Sequence, residues 1–238
     1  MTKREKGAER RERLEAERKA QAAAARKRNL ITAGIGILAG VVIFGGTAIA
    51  IISSEKDKPS NQPFSAFGVS AAAAKCDDVI VDPVSGASEH VGPGTNQPDT
   101  LKVDYVNVPP SSGQHFANWL DPGRHFYAPS DNPKVEQLVH NLEHGYNVVW
   151  YSPALADDKI SALEGLADKI SRNGKTRKFI VTPWSDAYGQ FPKGKTIGMS
   201  HWGAKEGYRQ LCGDVSGEAI AKFVEDHPAS NSPEPNTP

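Results

Sequence analysis

His140-Asn-Leu-Glu143-His144-Gly145 sets two imidazoles and a carboxylate side by side, at a spacing that suits a metal ion. Residues four apart on a helix share a face, so His140 and His144 can both reach one ion. His-x-x-Glu-His is also the motif of one class of zinc protease, in which two histidines hold the metal and the glutamate is the general base. A plainer reading is a helix end whose histidines interact with the helix dipole. Deciding between them requires further histidines near the pair.

The elements that must position these residues can be read locally. Ser130 or Asp131 is available to cap a helix, Pro133 suits its first turn, and Gly145 can adopt the left-handed conformation that ends it. Val135, Leu138, Val139 and Leu142 form an apolar stripe at i, i+3, i+4 and i+7. On that wheel His140 and His144 fall away from the stripe, with Glu143 at its flank. They therefore face either solvent or the second wall of a site. Leu101 to Val106 alternates as a half-buried strand should, and Tyr146 to Tyr151 is rich in strand formers. Ile160, Leu163, Leu166, Ala167 and Ile170 stripe a second helix that Asn173-Gly174 would end. Strands follow near Phe179 to Val181 and Ile197 to Trp202, and a last helix carries Ala219, Ile220, Phe223 and Val224. The expected fold is α+β, or α/β: one domain with a mixed sheet and three to four helices, preceded by a membrane-spanning helix. Its order of strands and helices is that of thioredoxin-like domains, an analogy that says nothing about activity without a Cys-x-x-Cys pair.

Charge divides the chain. Residues 1–29 hold eleven Lys/Arg against five Glu, and residues 53–238 hold seventeen Lys/Arg against twenty-three Asp/Glu. Between them Leu30 to Ile52 is twenty-three residues without a charge, long enough at 1.5 Å per residue to cross a hydrocarbon core of roughly 30 Å. The basic leader, with its Glu9–Arg13 and Glu15–Lys19 pairs, should be a solvated helix on the cytoplasmic side, so the C-terminal part lies outside. A cleaved signal peptide ending at Ala48-Ile49-Ala50 is the rival reading, disfavoured by the length of the apolar run and of the leader. Residues 53–74 read as a flexible linker, 75–226 as the globular domain, and 227–238, with four prolines, as a disordered tail. Cys76 and Cys212 are the only cysteines. In an oxidising compartment they are most simply a disulfide, the alternative being two thiolate ligands without a Cys-x-x-Cys spacing to support them. Excess acid and the lack of a basic–aromatic run argue against nucleic acid as a partner of the outer domain. No phosphate-cradling glycine loop occurs, and Ser111 and Ser112 lack the setting of a nucleophile.

Three further phrases stand upstream of the helix: His90-Val-Gly-Pro-Gly94, Tyr105-Val-Asn-Val-Pro-Pro-Ser-Ser-Gly-Gln-His115, and Trp119. With His140 to Gly145 they resemble the bacterial family called domain of unknown function 3105. Its pattern runs HVPPG, a tyrosine, NPPTSGPH, a tryptophan and VHNLEHG, and the likeness covers roughly residues 76–225. This chain departs from it at Val108, Ser111 and Gln114, and none of those changes removes a histidine. The resemblance implies a membrane-anchored protein of actinobacteria or their relatives, and no established activity.

Four histidines thus lie in these phrases: His90, His115, His140 and His144. The rigid Pro109-Pro110 pair and the turn after it can fix the loop that carries His115. Imidazoles of this kind suit zinc or copper better than calcium or magnesium. The expected site joins His115, His140 and His144, with Glu143 adjacent and His90 completing it. His201 reads as a strand-end packing residue, and His125 and His227 as incidental. Three functions remain: a tethered metal-binding module, an accessory that docks on a cell-envelope membrane complex, and a zinc hydrolase with Glu143 as base. The last needs a further acidic ligand downstream, for which Glu218 and Glu225 are available but nothing singles them out.

Overall fold

The computed structural model describes residues 58–172 and 177–238, with Lys19 and Arg26 besides. The leader, the Leu30–Ile52 span and its glycines, and the helix stop at Asn173-Gly174 lie outside the described residues. Among the described residues no helix is long and apolar enough to cross a membrane.

Lys58–Pro238 forms one compact unit around a five-stranded mixed sheet. Its strands are β1 (Ile80–Pro83), β4 (Asn147–Tyr151), β5 (Phe179–Pro183), β6 (Ile197–Trp202) and β7 (Glu206–Cys212), in the order β1-β7-β6-β4-β5. Only β4 and β5 run parallel, joined by α2 (Asp157–Ser171), and the other pairs are antiparallel. Two short strands, β2 (His90–Val91) and β3 (His115–Phe116), form a separate parallel pair. The remaining helices are α1 (Val135–Glu143) and α3 (Gly217–Asp226).

Both faces of β4 are buried, which is why this inner strand reads as an apolar run. Val149 and Tyr151 of β4 point to one core with Leu163, Leu166 and Ile170 of α2 and Phe223 of α3. Val148 and Trp150 point to the other, with Val135, Leu138, Val139 and Leu142 of α1 and Trp202 of β6. The α1 stripe therefore packs where the sequence places it. The opposite side of α1 is buried as well, since Glu136, His140, Asn141 and Glu143 are all 3 % exposed or less. A second wall, built from β2, β3 and their loops, covers it. Asn141 fastens that wall: its side-chain oxygen accepts from Leu120 N at 3.0 Å and its amide donates to Leu120 O at 3.2 Å.

The disulfide forms between Cys76 and Cys212, tying the segment before β1 to the end of β7. Closing a loop of this length stabilises by about 2–5 kcal/mol in the chain-entropy model.

Several local expectations are corrected. Leu101 to Val106 is not a strand: Leu101 and Val106 are 67 % and 97 % exposed, while Val103 N donates to the buried Glu136 carboxylate at 2.9 Å. Its alternation is real, but a side chain of α1 takes the place of a neighbouring strand. The sheet gains β1 and β7 instead. Neither Ser130 nor Asp131 caps α1; Asp131 closes its own 3₁₀ turn by accepting from Ala128 N at 2.7 Å, and α1 starts after Lys134. Gly145 does end the helix, at φ +92°, and a Cβ there would come within 2.6 Å of Ala229 O.

The two flanks also differ from expectation. The stretch read as linker is seated from Pro59 onward, because Phe67 is an apolar anchor in the core and its carbonyl accepts from Gly217 N, at the start of α3, at 2.7 Å. Residues 227–238, read as disordered, lie along the end of α1. Asn147 Nδ2 donates to His227 O at 2.9 Å, Ser232 is buried, and Lys178 Nζ binds the carbonyls of Pro235 and Thr237. The tail lacks large apolar side chains, but its backbone carbonyls find the half-buried Lys178 ammonium, which composition does not reveal.

Candidate metal centre

His140 and Glu143 lie three residues apart on α1, so both project from one side of the helix toward the second wall. Each is held from behind. His140 Nδ1 donates to Phe116 O at 2.6 Å, which leaves the lone pair of Nε2 free. Glu143 Oε1 accepts from Ser88 N at 2.6 Å, which fixes the carboxylate and leaves Oε2.

His115 arrives on β3, beside His90 in the parallel pairing of β2 and β3. The loop before it is rigid for identifiable reasons. Ser111, 1 % exposed, donates to Asp82 Oδ2 at 2.8 Å, and Arg209 grips the same carboxylate at 2.5 and 3.0 Å. Gly113 turns the chain at φ +144° with the Tyr105 ring against it, and its carbonyl accepts from His115 Nδ1 at 2.8 Å. His115 thus also turns Nε2 into the site.

That nitrogen lies 3.0 Å from Glu143 Oε2, with both side chains at most 1 % exposed. The two atoms are out of hydrogen-bond alignment, and neither has another hydrogen-bond partner. A buried imidazole nitrogen this close to a carboxylate oxygen calls for a proton or a metal ion between them. His90, His115, His140 and Glu143 each bring one donor atom, all within 4.8 Å of one another. The His90 ring stacks on that of His140 at 4.9 Å and meets His115 edge-on at 5.0 Å. Among the four, His90 alone is exposed.

The electrostatics suit metal ligands. Burial pushes His140 down to about 4, against the pull of the Phe116 carbonyl, and the neighbouring imidazoles push the same way. His140 is neutral at any physiological pH. Burial alone would raise Glu143, but the His115 imidazole and the Ser88 N–H outweigh it and hold the carboxyl below its usual range. The set therefore joins a neutral His140 and a carboxylate to two further imidazoles, each oriented by a backbone group where it is buried, the pattern found behind metal ligands.

The arrangement corrects one expectation. His144 does not join His115 and His140, although its ring is 4.5 Å from that of His140. As the residue capping α1 at φ −75°, ψ 0°, it turns toward the tail, where Nδ1 meets Pro238 O at 2.9 Å and Nε2 faces Glu234 Oε2 at 3.5 Å. His90, expected as an optional member, stands in the set. His201 lies elsewhere, buried in β6 with Nε2 on Asn231 O, and His125 Nδ1 holds Phe179 O. The sequence gives no sign of Ser88, or of the carbonyls of Gly113 and Phe116, as supporting groups, because any residue can supply a backbone group. Trp119, named from its phrase, packs edge-on against both His140 and His144.

A family model described as protein of unknown function (DUF3105) matches residues 97–238, and the chain belongs to that family. The match takes in His115, His140 and Glu143 and begins after His90. No curated protein and no solved structure matches the chain.

Proposed function

Starting from a family with no assigned activity, we propose that this protein is a transition-metal-binding module in which His90, His115, His140 and Glu143 hold one zinc or copper ion. The observation that carries the reading is the buried His115 Nε2–Glu143 Oε2 contact, two atoms without a hydrogen-bond partner that a shared metal ion would reconcile. Three imidazole nitrogens and one carboxylate oxygen match the preferences of Zn²⁺ and Cu²⁺, whereas Ca²⁺ and Mg²⁺ want oxygen throughout. A tetrahedral ion with bonds of about 2.0–2.1 Å needs donors about 3.3 Å apart, so a set that lies within 4.8 Å must contract around the ion. Such an ion would bring its donors a fixed charge and geometry.

Four donors fill a tetrahedral ion, and Glu143 is one of them. That favours binding, storage or hand-over over hydrolysis, in which the glutamate would have to act on a water beside the metal. The proposal extends to place: a single span at Leu30–Ile52 with the metal-binding unit outside the cytoplasm. Its support is the charge asymmetry about that stretch and the Cys76–Cys212 disulfide, which belongs to an oxidising compartment. The exposed Leu101 and Val106 favour a second reading, in which this domain also docks on an envelope protein.

Elemental analysis of the untagged protein tests the reading. One zinc or copper per chain, lost in Glu143→Ala, is expected; a metal-free wild type after reconstitution with both ions would refute it. For the topology, a reporter fused after Pro238 should be active only outside the cytoplasm, and a soluble product starting near Ile51 would favour the signal-peptide alternative.

A further inference from the structure

We propose that residues 228–238 are a strap that withholds His144 from the metal ion, and that releasing it gives the site a fifth donor. The idea rests on the metal-site reading and concerns its regulation.

His144 is placed as a ligand would be. It follows Glu143 directly, is 1 % exposed, and its ring meets that of His140 at 4.5 Å, nearly perpendicular. Trp119 packs edge-on against both rings, at 5.1 and 4.8 Å, and so bounds them as one compartment. What separates His144 from the other donors is where its nitrogens point. His90, His115 and His140 share a space; both nitrogens of His144 face the tail, Nδ1 on Pro238 O and Nε2 on Glu234 Oε2.

The strap is fastened at the ligand's own backbone. Lys178 Nζ donates to His144 O at 2.6 Å, to Pro235 O at 2.9 Å and to Thr237 O at 2.6 Å, so one ammonium group ties the end of α1 to the tail. Glu234 N adds a hydrogen bond to Glu143 O at 3.1 Å. These are polar contacts. From Pro228 on, the tail has no apolar side chain larger than alanine or proline, and Glu234 is 40 % exposed. A segment held by hydrogen bonds with little apolar burial belongs to the low-stability end of a domain and can open without unfolding the rest. Freed from Pro238 and Glu234, the His144 imidazole needs only side-chain rotation to turn back toward His140. Coupling of this kind is reciprocal: if the strap weakens metal binding, the metal weakens the strap by the same factor.

The test measures zinc affinity of the full chain by competition with a chromophoric chelator. Lys178→Met and Glu234→Ala each loosen the strap, and each is paired with His144→Ala. The expected result is tighter zinc binding in both release variants, roughly tenfold, with the gain abolished by His144→Ala. In the strapped wild type His144→Ala should change little. Cobalt in place of zinc should show weaker visible absorption in the release variants, the sign of a fifth ligand. Zinc should also speed amide exchange at Glu234 and Thr237 in the wild type. Unchanged affinity in both release variants, or a gain that survives without His144, would overturn the strap. Should the wild type bind no zinc while the release variants bind it through His144, the strap stands and the four-donor site falls; zinc binding by none of them removes both.

Discussion

Two groups of buried histidines occupy this domain, and burial does not tell them apart. His140 and His201 are both nearly inaccessible, and burial pushes both down to about 4. The difference lies in what their neighbours do. Around His140, two further imidazoles and a carboxylate aim at one space, with His115 Nε2 and Glu143 Oε2 unpartnered within it. Around His201, Nε2 is taken by Asn231 O and Nδ1 alone is unpartnered, the nearby His227 donates Nδ1 to Phe223 O, and the two rings stand 5.8 Å apart. No carboxylate completes a ligand set there among the described residues. The second group packs the tail and α3 against the sheet. A lowered histidine pKa marks desolvation; convergence of free donors marks a site.

The comparison breaks most directly with metal content. His115→Ala and His140→Ala should each reduce bound zinc from one per chain to none, whereas His201→Ala and His227→Ala should leave it at one. Zinc lost equally from both groups would mean that the distinction is false.

His90 sharpens the first group internally. It is the exposed donor on a two-residue strand, so His90→Ala should weaken zinc by roughly 10–100-fold without abolishing it, as read by chelator competition. Complete loss would put His90 on a par with His140.

The second group should reveal itself in stability. His201→Ala removes a buried ring and strands Asn231 O, at a cost of about 1–3 kcal/mol in urea melts with zinc stoichiometry intact. A neutral substitution would show that this group packs nothing.

The smallest effect is the pH profile, where both groups contribute. The unfolded chain binds protons on these histidines near 6.5 while the folded chain does not until about 4. Their stabilisation is therefore complete above about pH 6.5 and declines as pH falls through that window. In the metal-free protein, melts from pH 7 to 4 should show the decline, and His201→Asn should flatten part of it. Zinc, which holds only the unprotonated His140, should steepen that decline and leave the His201 share unchanged. A profile that is flat from 7 to 4 contradicts both assignments.

How much of this was legible beforehand differs by scale. The helices and central strands follow from local patterns: the α1 stripe from Val135 to Leu142, the α2 stripe from Leu163 to Ile170, and the strand formers from Val148 to Tyr151. Those patterns survive because both faces of the sheet need apolar cover. The disulfide was legible because two cysteines at the two ends of one domain have one simple use. Val103 and Tyr105 misled because alternation records which side chains turn inward, and a loop pressed on Glu136 alternates as a strand does. Tail and linker misled because composition counts apolar residues and overlooks a single well-placed Phe67 or Lys178.

The sequence by itself determined that His140, Glu143 and His144 share one side of a helix, that His115 is presented by a stiff turn, and that such residue types suit a transition metal. It did not determine which neighbour His140 would join. On a helix Glu143 stands about 60° to one side of His140 and His144 about 40° to the other, a near tie that local geometry does not break. Tertiary structure broke it. The Gly113–Phe116 segment delivers His115 on the Glu143 side, and the tail, tethered by Lys178, claims His144 on the other. Both partners come from segments distant along the chain, so their sides were set by packing, where a helical pattern has no information.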